Sequence, residues 1–326
     1  MKPKVAQVSK YGIGEWYGRS FSAMSPIDRE ALAQHQVRLK GDREQIVCEP
    51  RSTGSASPPC NKEGGICSIR KYIKVQDSDG SARISTVPNE LVTVCPNRFL
   101  EAGRVFAWVG QAMLGETSPL VVGEVGFLSP PAAKTADDPV KPGRDDVGRI
   151  DNILVASEDG DILRWCALEI QAVYFSGSGM ASEYERIRAG DKTGIPFPVG
   201  HRRPDFRSSG PKRLMPQLQI KVPTLRRWGK KMAVVVDEAF FQAMGKMDTV
   251  RDVSNCDVAW FVMKYEEKSD GISLLPHEIH LTTLERAVEG LTCGEPVSLG
   301  EFEQRILAKI RRGSGVVHPL EVPADQ

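Results

Sequence analysis

A chain of 326 residues with 40% hydrophobic content is long enough for one large domain or two medium ones and apolar enough to build a real core, which excludes a disordered chain. Its 43 Lys and Arg nearly cancel 42 Asp and Glu, so the net charge of +1 neither demands nor excludes a polyanionic partner, and local charge must decide. No run of 18 apolar residues occurs, and the lysines of residues 1–10 have no apolar run behind them. Neither a membrane span nor a secretory signal is expected, and the expected location is the cytoplasm. Seven cysteines without an export signal point to metal binding or core packing rather than disulfides.

In chain order, residues 48–95 are rich in Gly, Ser and Pro and short of helical periodicity, so order there needs an external staple. Residues 99–114 suit a helix and 120–128 (LVVGEVGFL) a strand. Residues 130–146, with four prolines and several charges, read as a surface loop. Residues 150–156 (IDNILVA) and 162–173 (ILRWCALEIQAV) are strand-like and flank the turn signal Asp159-Gly160, which makes a hairpin. A helix is expected to begin near Pro223, a buried strand over 258–265 (VAWFVMKY), and helices over 281–291 and 299–310. The fold class is α/β: a mixed central sheet flanked by helices, with an N-terminal cysteine-rich, metal-binding region (1–100) set apart from the remainder (101–326).

Within the hairpin, a period of two puts Leu168, Ile170 and Ala172 on one face and Glu169 and Gln171 on the other. With the turn at Asp159-Gly160, paired residues have numbers summing to about 319–322, which sets Asp151 across from Glu169 to within a residue or two. Two carboxylates and an amide on one polar face suit Mg²⁺, which prefers oxygen ligands; on this geometry alone a merely solvated hairpin face is the commoner case.

Cys48, Cys60, Cys67 and Cys95, separated by eleven, six and twenty-seven residues, lack the close pairs of a zinc ribbon, yet a site of four cysteines does not require such pairs. Cys60 follows Pro58-Pro59 and Cys67 follows Gly64-Gly65, surroundings too poor in apolar residues for core packing, so these four are candidate ligands for Fe or Zn. Cys166, Cys256 and Cys293 adjoin apolar segments and read as packing residues. Residues 201–231 hold ten Lys and Arg against the single acid Asp205, with Phe206 and Trp228 interleaved. This is either a solvated basic face or a DNA contact, for which Arg202, Arg203, Arg207, Lys212, Arg213, Arg226 and Arg227 are the candidates.

Asp151 followed by Glu169-Ile-Gln171 resembles the catalytic motif of PD-(D/E)xK nucleases in the variant where Gln replaces Lys. Together with Phe175, Gly14-Glu-Trp-Tyr-Gly18, the cysteine set ending in Val94-Cys-Pro-Asn-Arg98, and Ala259-Trp260, it looks like the NotI-type restriction endonucleases. The resemblance implies a PD-(D/E)xK core and a type II enzyme that hydrolyses double-stranded DNA with Mg²⁺, acting as a homodimer at a GC-rich palindrome centred on GGCC. It also implies Asp151, Glu169 and Gln171 as catalytic residues, Asp151 and Glu169 as Mg²⁺ ligands, and iron on the four cysteines. Glu124, Asp145 and Asp146 are candidates for a further acid. The alternatives are a non-catalytic DNA-binding protein built on a metal knot and a less specific nuclease of repair or defence.

Overall fold

The computed structural model describes residues 7–37, 46–76, 82–128, 148–190, 194–268, 271–292, 294 and 297–312. The expected loop over 130–146, with Asp145 and Asp146, and also Cys293 lie outside the described residues. The strands are β1 (Gln7–Trp16), β2 (Arg19–Ser20), β3 (Ile66–Gln76), β4 (Ala82–Thr93), β5 (Leu120–Leu128), β6 (Gly148–Glu158), β7 (Asp161–Ile170), β8 (Tyr174–Gly177), β9 (Arg202–Asp205), β10 (Met232–Asp237), β11 (Val258–Lys268) and β12 (Gly271–Thr282). The helices are α1 (Pro26–Val37), α2 (Arg104–Leu114), α3 (Ala181–Ala189), α4 (Phe206–Ser209), α5 (Met215–Arg227), α6 (Glu238–Ala243), α7 (Leu284–Leu291) and α8 (Leu299–Arg312). Residues 1–293 form one compact unit; 294–326 form a second, which holds α8. Among the described residues no helix is long and apolar enough to cross a membrane.

A six-stranded sheet in the order β12-β11-β10-β7-β6-β5 is the centre of the first unit. It is mixed: β10 runs parallel to both β7 and β11, and the remaining pairs are antiparallel. The middle strand β10, MAVVVD, is buried along its whole length, as a strand covered on both faces must be. Its even-numbered residues Met232, Val234 and Val236 pack with Trp260 of β11 and with Leu218, Val222 and Leu225 of α5. Its odd-numbered Ala233 and Val235 pack with Phe261 and with Val105 and Val109 of α2. The α/β class with helices on both faces of a mixed sheet is therefore as expected.

The hairpin β6–β7 closes on Asp159 and Gly160, both at positive φ (49° and 88°), a backbone that favours the Asp-Gly pair. Asn152 pairs with Leu168 and Glu158 with Asp161, within the expected register. Strand β5 lies over the residues expected for it, and the strand expected over 258–265 is the first part of β11. Other boundaries differ. Residues 96–103 form 3₁₀ turns before α2 starts at Arg104. The C-terminal strand β12 runs to Thr282, taking the first residues expected to be helical. Pro223 lies inside α5 rather than at a helix start; the chain is already helical from Phe206, passing through a π turn at Gly210–Leu214, and Pro216 opens α5. A first turn accommodates proline equally well at 216, so the proline signal belongs to that residue and not to 223.

The first residues build a second sheet, β2-β1-β3-β4. It is tied to the central one through Thr93, at the end of β4. The Thr93 N–H donates to the buried Asp237 carboxylate (2.5 Å), its carbonyl accepts from Val173 N (2.8 Å), and its hydroxyl lies 2.9 Å from that of Tyr265. Asp237 also caps α6 by accepting from Phe240 N at 2.8 Å; burial pushes its carboxyl up to about 6, against the two backbone donors that favour the anion. Replacing Asp237 with Ala removes the cap and leaves the Thr93 N–H unpaired in the interior. The expected cost is about 2–4 kcal/mol, read as a lower urea midpoint at unchanged slope. A loss under about 1 kcal/mol would mean that water or another acceptor replaces the carboxylate.

Candidate functional site

Glu169 stands near the end of β7, one position before the strand's last residue, where β7 pairs with β10 at Val234. Being odd-numbered, it shares its face with Ala167, the face that α5 covers. The alternation is therefore as expected, but the face is not an open polar surface: Glu169 is only 2% exposed. The hairpin pattern cannot reveal the cover, because α5 comes from a segment about fifty residues downstream.

A buried carboxylate needs a partner, and α5 supplies one that lies outside the sequence motif. Lys221 Nζ donates to Glu169 Oε2 at 2.6 Å and to Gln217 Oε1, one helical turn earlier, at 2.7 Å. It also lies 3.7 Å from Asp151 Oδ1. Asp151, on β6, is half exposed, whereas Glu169 and Lys221 are almost wholly buried. Burial pushes the Glu169 carboxyl up to about 7; the Lys221 ammonium pulls it down and the Asp151 carboxylate pushes it further up. The hairpin thus brings Asp151 and Glu169 together around one cation, as the register required.

Lys221 carries a signal that is present in the sequence. The apolar core positions of this helix are Leu218, Val222 and Leu225, and Lys221 is three residues after Leu218 and four before Leu225. A lysine inside an apolar helical stripe is out of place unless it has a buried partner.

Gln171 lies just past β7 and is 8% exposed. Its backbone N–H donates to Val235 O (2.9 Å), and its side-chain amide turns back to donate to Ala172 O at 2.6 Å. Glu124 is exposed on β5 and pairs with Arg149 at 3.1 Å.

The seven basic candidates divide by burial. Arg203, Arg207, Lys212, Arg213, Arg226 and Arg227 are at least partly exposed. Arg213 stacks 3.7 Å over the Tyr174 ring and donates to its hydroxyl; Arg226 bridges Asp257 and Glu285; Arg227 reaches the Thr224 hydroxyl. Arg202 is 5% exposed and its guanidinium is enclosed: it meets Glu183 Oε1 at 2.7 Å and donates to the carbonyls of Tyr11, Ser178 and Gly179. That geometry fixes the β8–β9 ribbon and the neighbouring α3 to β1 rather than presenting a cation at the surface.

The four clustered cysteines come from separated segments drawn together by backbone hydrogen bonds: Cys48 N to Pro58 O, Cys60 N to Ile46 O, and Cys95 N to Cys67 O. Cys48 hydrogen-bonds Cys60, and electrostatic neighbours close the ring: Cys48 with Cys67, Cys67 with Cys95, and Cys95 with Cys60. The bond from Cys48 brings the Cys60 thiol down to about 6 and raises that of Cys48, while burial raises Cys67 and Cys95. None of the four is in a disulfide. As placed, though, no three His, Cys, Asp or Glu among the described residues are grouped so as to hold a metal ion. The expected four-cysteine centre therefore has its donors in one place without a ligating arrangement. Cys166 and Cys256 are buried in the core on the α2 side of the sheet.

The ring adjoins a buried ion pair, Glu15 with Arg98 at 2.8 Å, in which Arg98 also holds Glu101 at 2.7 Å. Glu15 comes from the Gly14-Glu-Trp-Tyr-Gly18 string and Arg98 from Cys95-Pro-Asn-Arg98, so two short strings far apart in sequence meet in the interior.

A family model described as restriction endonuclease NotI matches residues 30–274, well over half of the chain. The matched span holds Asp151, Glu169, Gln171, Lys221, the four clustered cysteines and the basic stretch. No curated protein matches the chain.

The burial of Arg202 sets a stability test. Arg202→Ala leaves Glu183 as an uncompensated buried charge and is expected to cost about 3–5 kcal/mol, whereas exposed Arg203→Ala changes stability by no more than about 0.5 kcal/mol. Chemical denaturation of the two variants checks this; equal small losses would show that water enters to solvate Glu183.

Proposed function

Because the chain belongs to the NotI restriction endonuclease family, we propose that it is a type II enzyme with a PD-(D/E)xK core, which hydrolyses double-stranded DNA with Mg²⁺ at Asp151 and Glu169. One observation carries the assignment of the centre: the two carboxylates approach a single ammonium, at 3.7 and 2.6 Å, at the mouth of the β6–β7 hairpin. Carboxylates converging on one cation are the donor set that Mg²⁺ takes, so the residues fit the ion. When bound there, Mg²⁺ supplies the charge that polarises a phosphodiester and activates water.

The chain's own residues supply position. Glu169 is held rigidly by β7, β10 and α5, whereas half-exposed Asp151 is free to adjust to an incoming ligand. Helix α5 runs from this centre to the surface carrying Arg226 and Arg227, and the segment before it presents Arg203, Arg207, Lys212 and Arg213. Exposed cations along β9 and the helical stretch that follows it suit a DNA backbone, and arginine suits guanine edges in a major groove. Gln171, neutral and turned toward Ala172, holds the end of β7 against β10. We extend the reading to a homodimer, in which twofold symmetry places one centre on each strand of a GC-rich palindrome centred on GGCC.

The experiment is digestion of a GC-rich plasmid by the purified protein in Mg²⁺, with sequencing of the ends. Discrete ends at one palindrome are expected, and Glu169→Ala should lose cleavage while still binding target DNA in Ca²⁺. Smeared products would favour a less specific nuclease, and intact plasmid a binding protein without catalysis.

We also propose that Cys48, Cys60, Cys67 and Cys95 hold a structural iron or zinc, since four thiols brought from separated segments into one part of the structure, none of them in a disulfide, suit a soft-metal centre that closes on its ion. Elemental analysis of protein prepared without chelator should find one such ion per chain, and the Cys60→Ser, Cys95→Ser pair should lose it together with thermal stability. A metal-free wild type of equal stability would overturn the assignment.

A further inference from the structure

We propose that Lys221 is a catalytic residue, the cation on α5 that supplies the scissile phosphate with the positive charge which Gln171 cannot give. The inference rests on the nuclease reading above and adds to it a residue from outside the Asp-Glu-x-Gln pattern.

Four observations converge on Lys221. Its ammonium stands within 4 Å of both carboxylates, so a phosphate oxygen drawn to an ion on those carboxylates comes within reach of Nζ. The ammonium is held from behind by the Gln217 carbonyl oxygen at 2.7 Å, with the residue 5% exposed, so its position is fixed before substrate arrives. It lies on the buried face of α5, three residues after Leu218 and four before Leu225, where an apolar side chain would not carry the cost of desolvating a charge. Gln171 is unable to take the role: it carries no charge, and its Nε2 donates to Ala172 O at 2.6 Å.

Charge balance leads the same way. Two carboxylates beside one ammonium leave a single negative charge for an arriving divalent cation. With the ion on the carboxylates, Glu169 would share its charge with it, and Lys221 Nζ, still held by Gln217, would have donors left for the phosphate. In the reaction, a water oxygen bonds to phosphorus and the P–O ester bond breaks with both electrons going to the leaving oxygen. One proton leaves the water for solvent and the leaving oxygen takes one up. Lys221 exchanges no proton; it offsets the negative charge gathering on the phosphate oxygens as the bonds change.

The test compares wild type with Lys221→Met and Lys221→Gln. Methionine keeps the length and the packing on α5 but leaves Glu169 buried without its cation, so the thermal midpoint of Lys221→Met should fall below that of wild type, and that of Lys221→Gln, which keeps a donor for Glu169, should fall less, with both variants folded at the assay temperature. Mg²⁺ affinity, by calorimetry, should be unchanged or tighter, because a competing positive charge is gone. Ca²⁺-supported binding to target DNA should stay within about threefold, while single-turnover cleavage at saturating Mg²⁺ falls by on the order of 100-fold or more. Cleavage within about threefold of wild type would overturn the proposal. So would a loss of cleavage matched by weaker Mg²⁺ binding or by unfolding in both variants, since Lys221 would then act only by holding Glu169 or α5 in place. A wild type that never cleaves would instead overturn the nuclease reading itself, so the two failures are distinguishable.

Discussion

A carboxylate on a strand buried on both faces is the constraint around which this chain is arranged. Glu169 sits on β7, an interior strand of the central sheet, with β10 on one side and β6 folded back on the other. Whatever covers its face must bring a cation or hydrogen-bond donors with it, because an unpaired buried carboxylate would be neutralised or would destabilise the strand. Helix α5 meets that requirement through Lys221 while its flanking Leu218, Val222 and Leu225 seal the sheet. The same helix therefore closes the core and sets the charge of the site.

That dual role explains what is legible in the sequence and what is not. The hairpin is legible because its determinants are local: Asp159-Gly160 takes positive φ at both positions, and apolar residues on both strands restrict the register. Strand β5 and the start of β11 are legible for the same reason, as continuous runs bounded by breakers. The burial of Glu169 is not, since nothing near residue 169 says which helix lies over it. Lys221 is half legible: it belongs to a conspicuously basic stretch, but only its spacing from Leu218 and Leu225 separates it from Arg226 and Arg227, which the same helix turns outward. Arg202 is hidden in the same way, because its partner Glu183 comes from α3 and no local pattern pairs them.

The cysteine region shows a third kind of legibility, through order in the chain rather than through periodicity. Residues around Cys48 and Cys60 form few regular hydrogen bonds, yet Ile46, Pro58 and Cys60 interlock their backbones, and Cys67 and Cys95 bond across the ends of β3 and β4. Beside them Glu15 and Arg98 form an ion pair with both side chains at 1% exposure or less. Such a pair contributes less to stability than to specificity of arrangement, because either charge alone in that place would be strongly unfavourable. Trp16, next to Glu15, adds a bond from its indole N–H to Gly64 O, three residues before Cys67. The strings that look like family signatures in sequence are thus the contacts that seat the cysteine region on β1.

The arrangement also makes chemical sense of glutamine at position 171. A lysine there would have to emerge from the end of β7, beside Val235 and under the turn to β8, in a place where the existing amide is already bonded to Ala172. A charge arriving from α5 instead approaches from the helix side of the sheet, where Gln217 can fix it and where both carboxylates can reach it. With the cation on the helix, the strand end stays neutral and tightly packed. It also couples the electrostatics of the centre to the helix that carries the exposed Arg226 and Arg227, so any movement of α5 against the sheet displaces the ammonium relative to Asp151 and Glu169. A site built this way responds to how α5 seats on the sheet, and a strand-borne lysine would not.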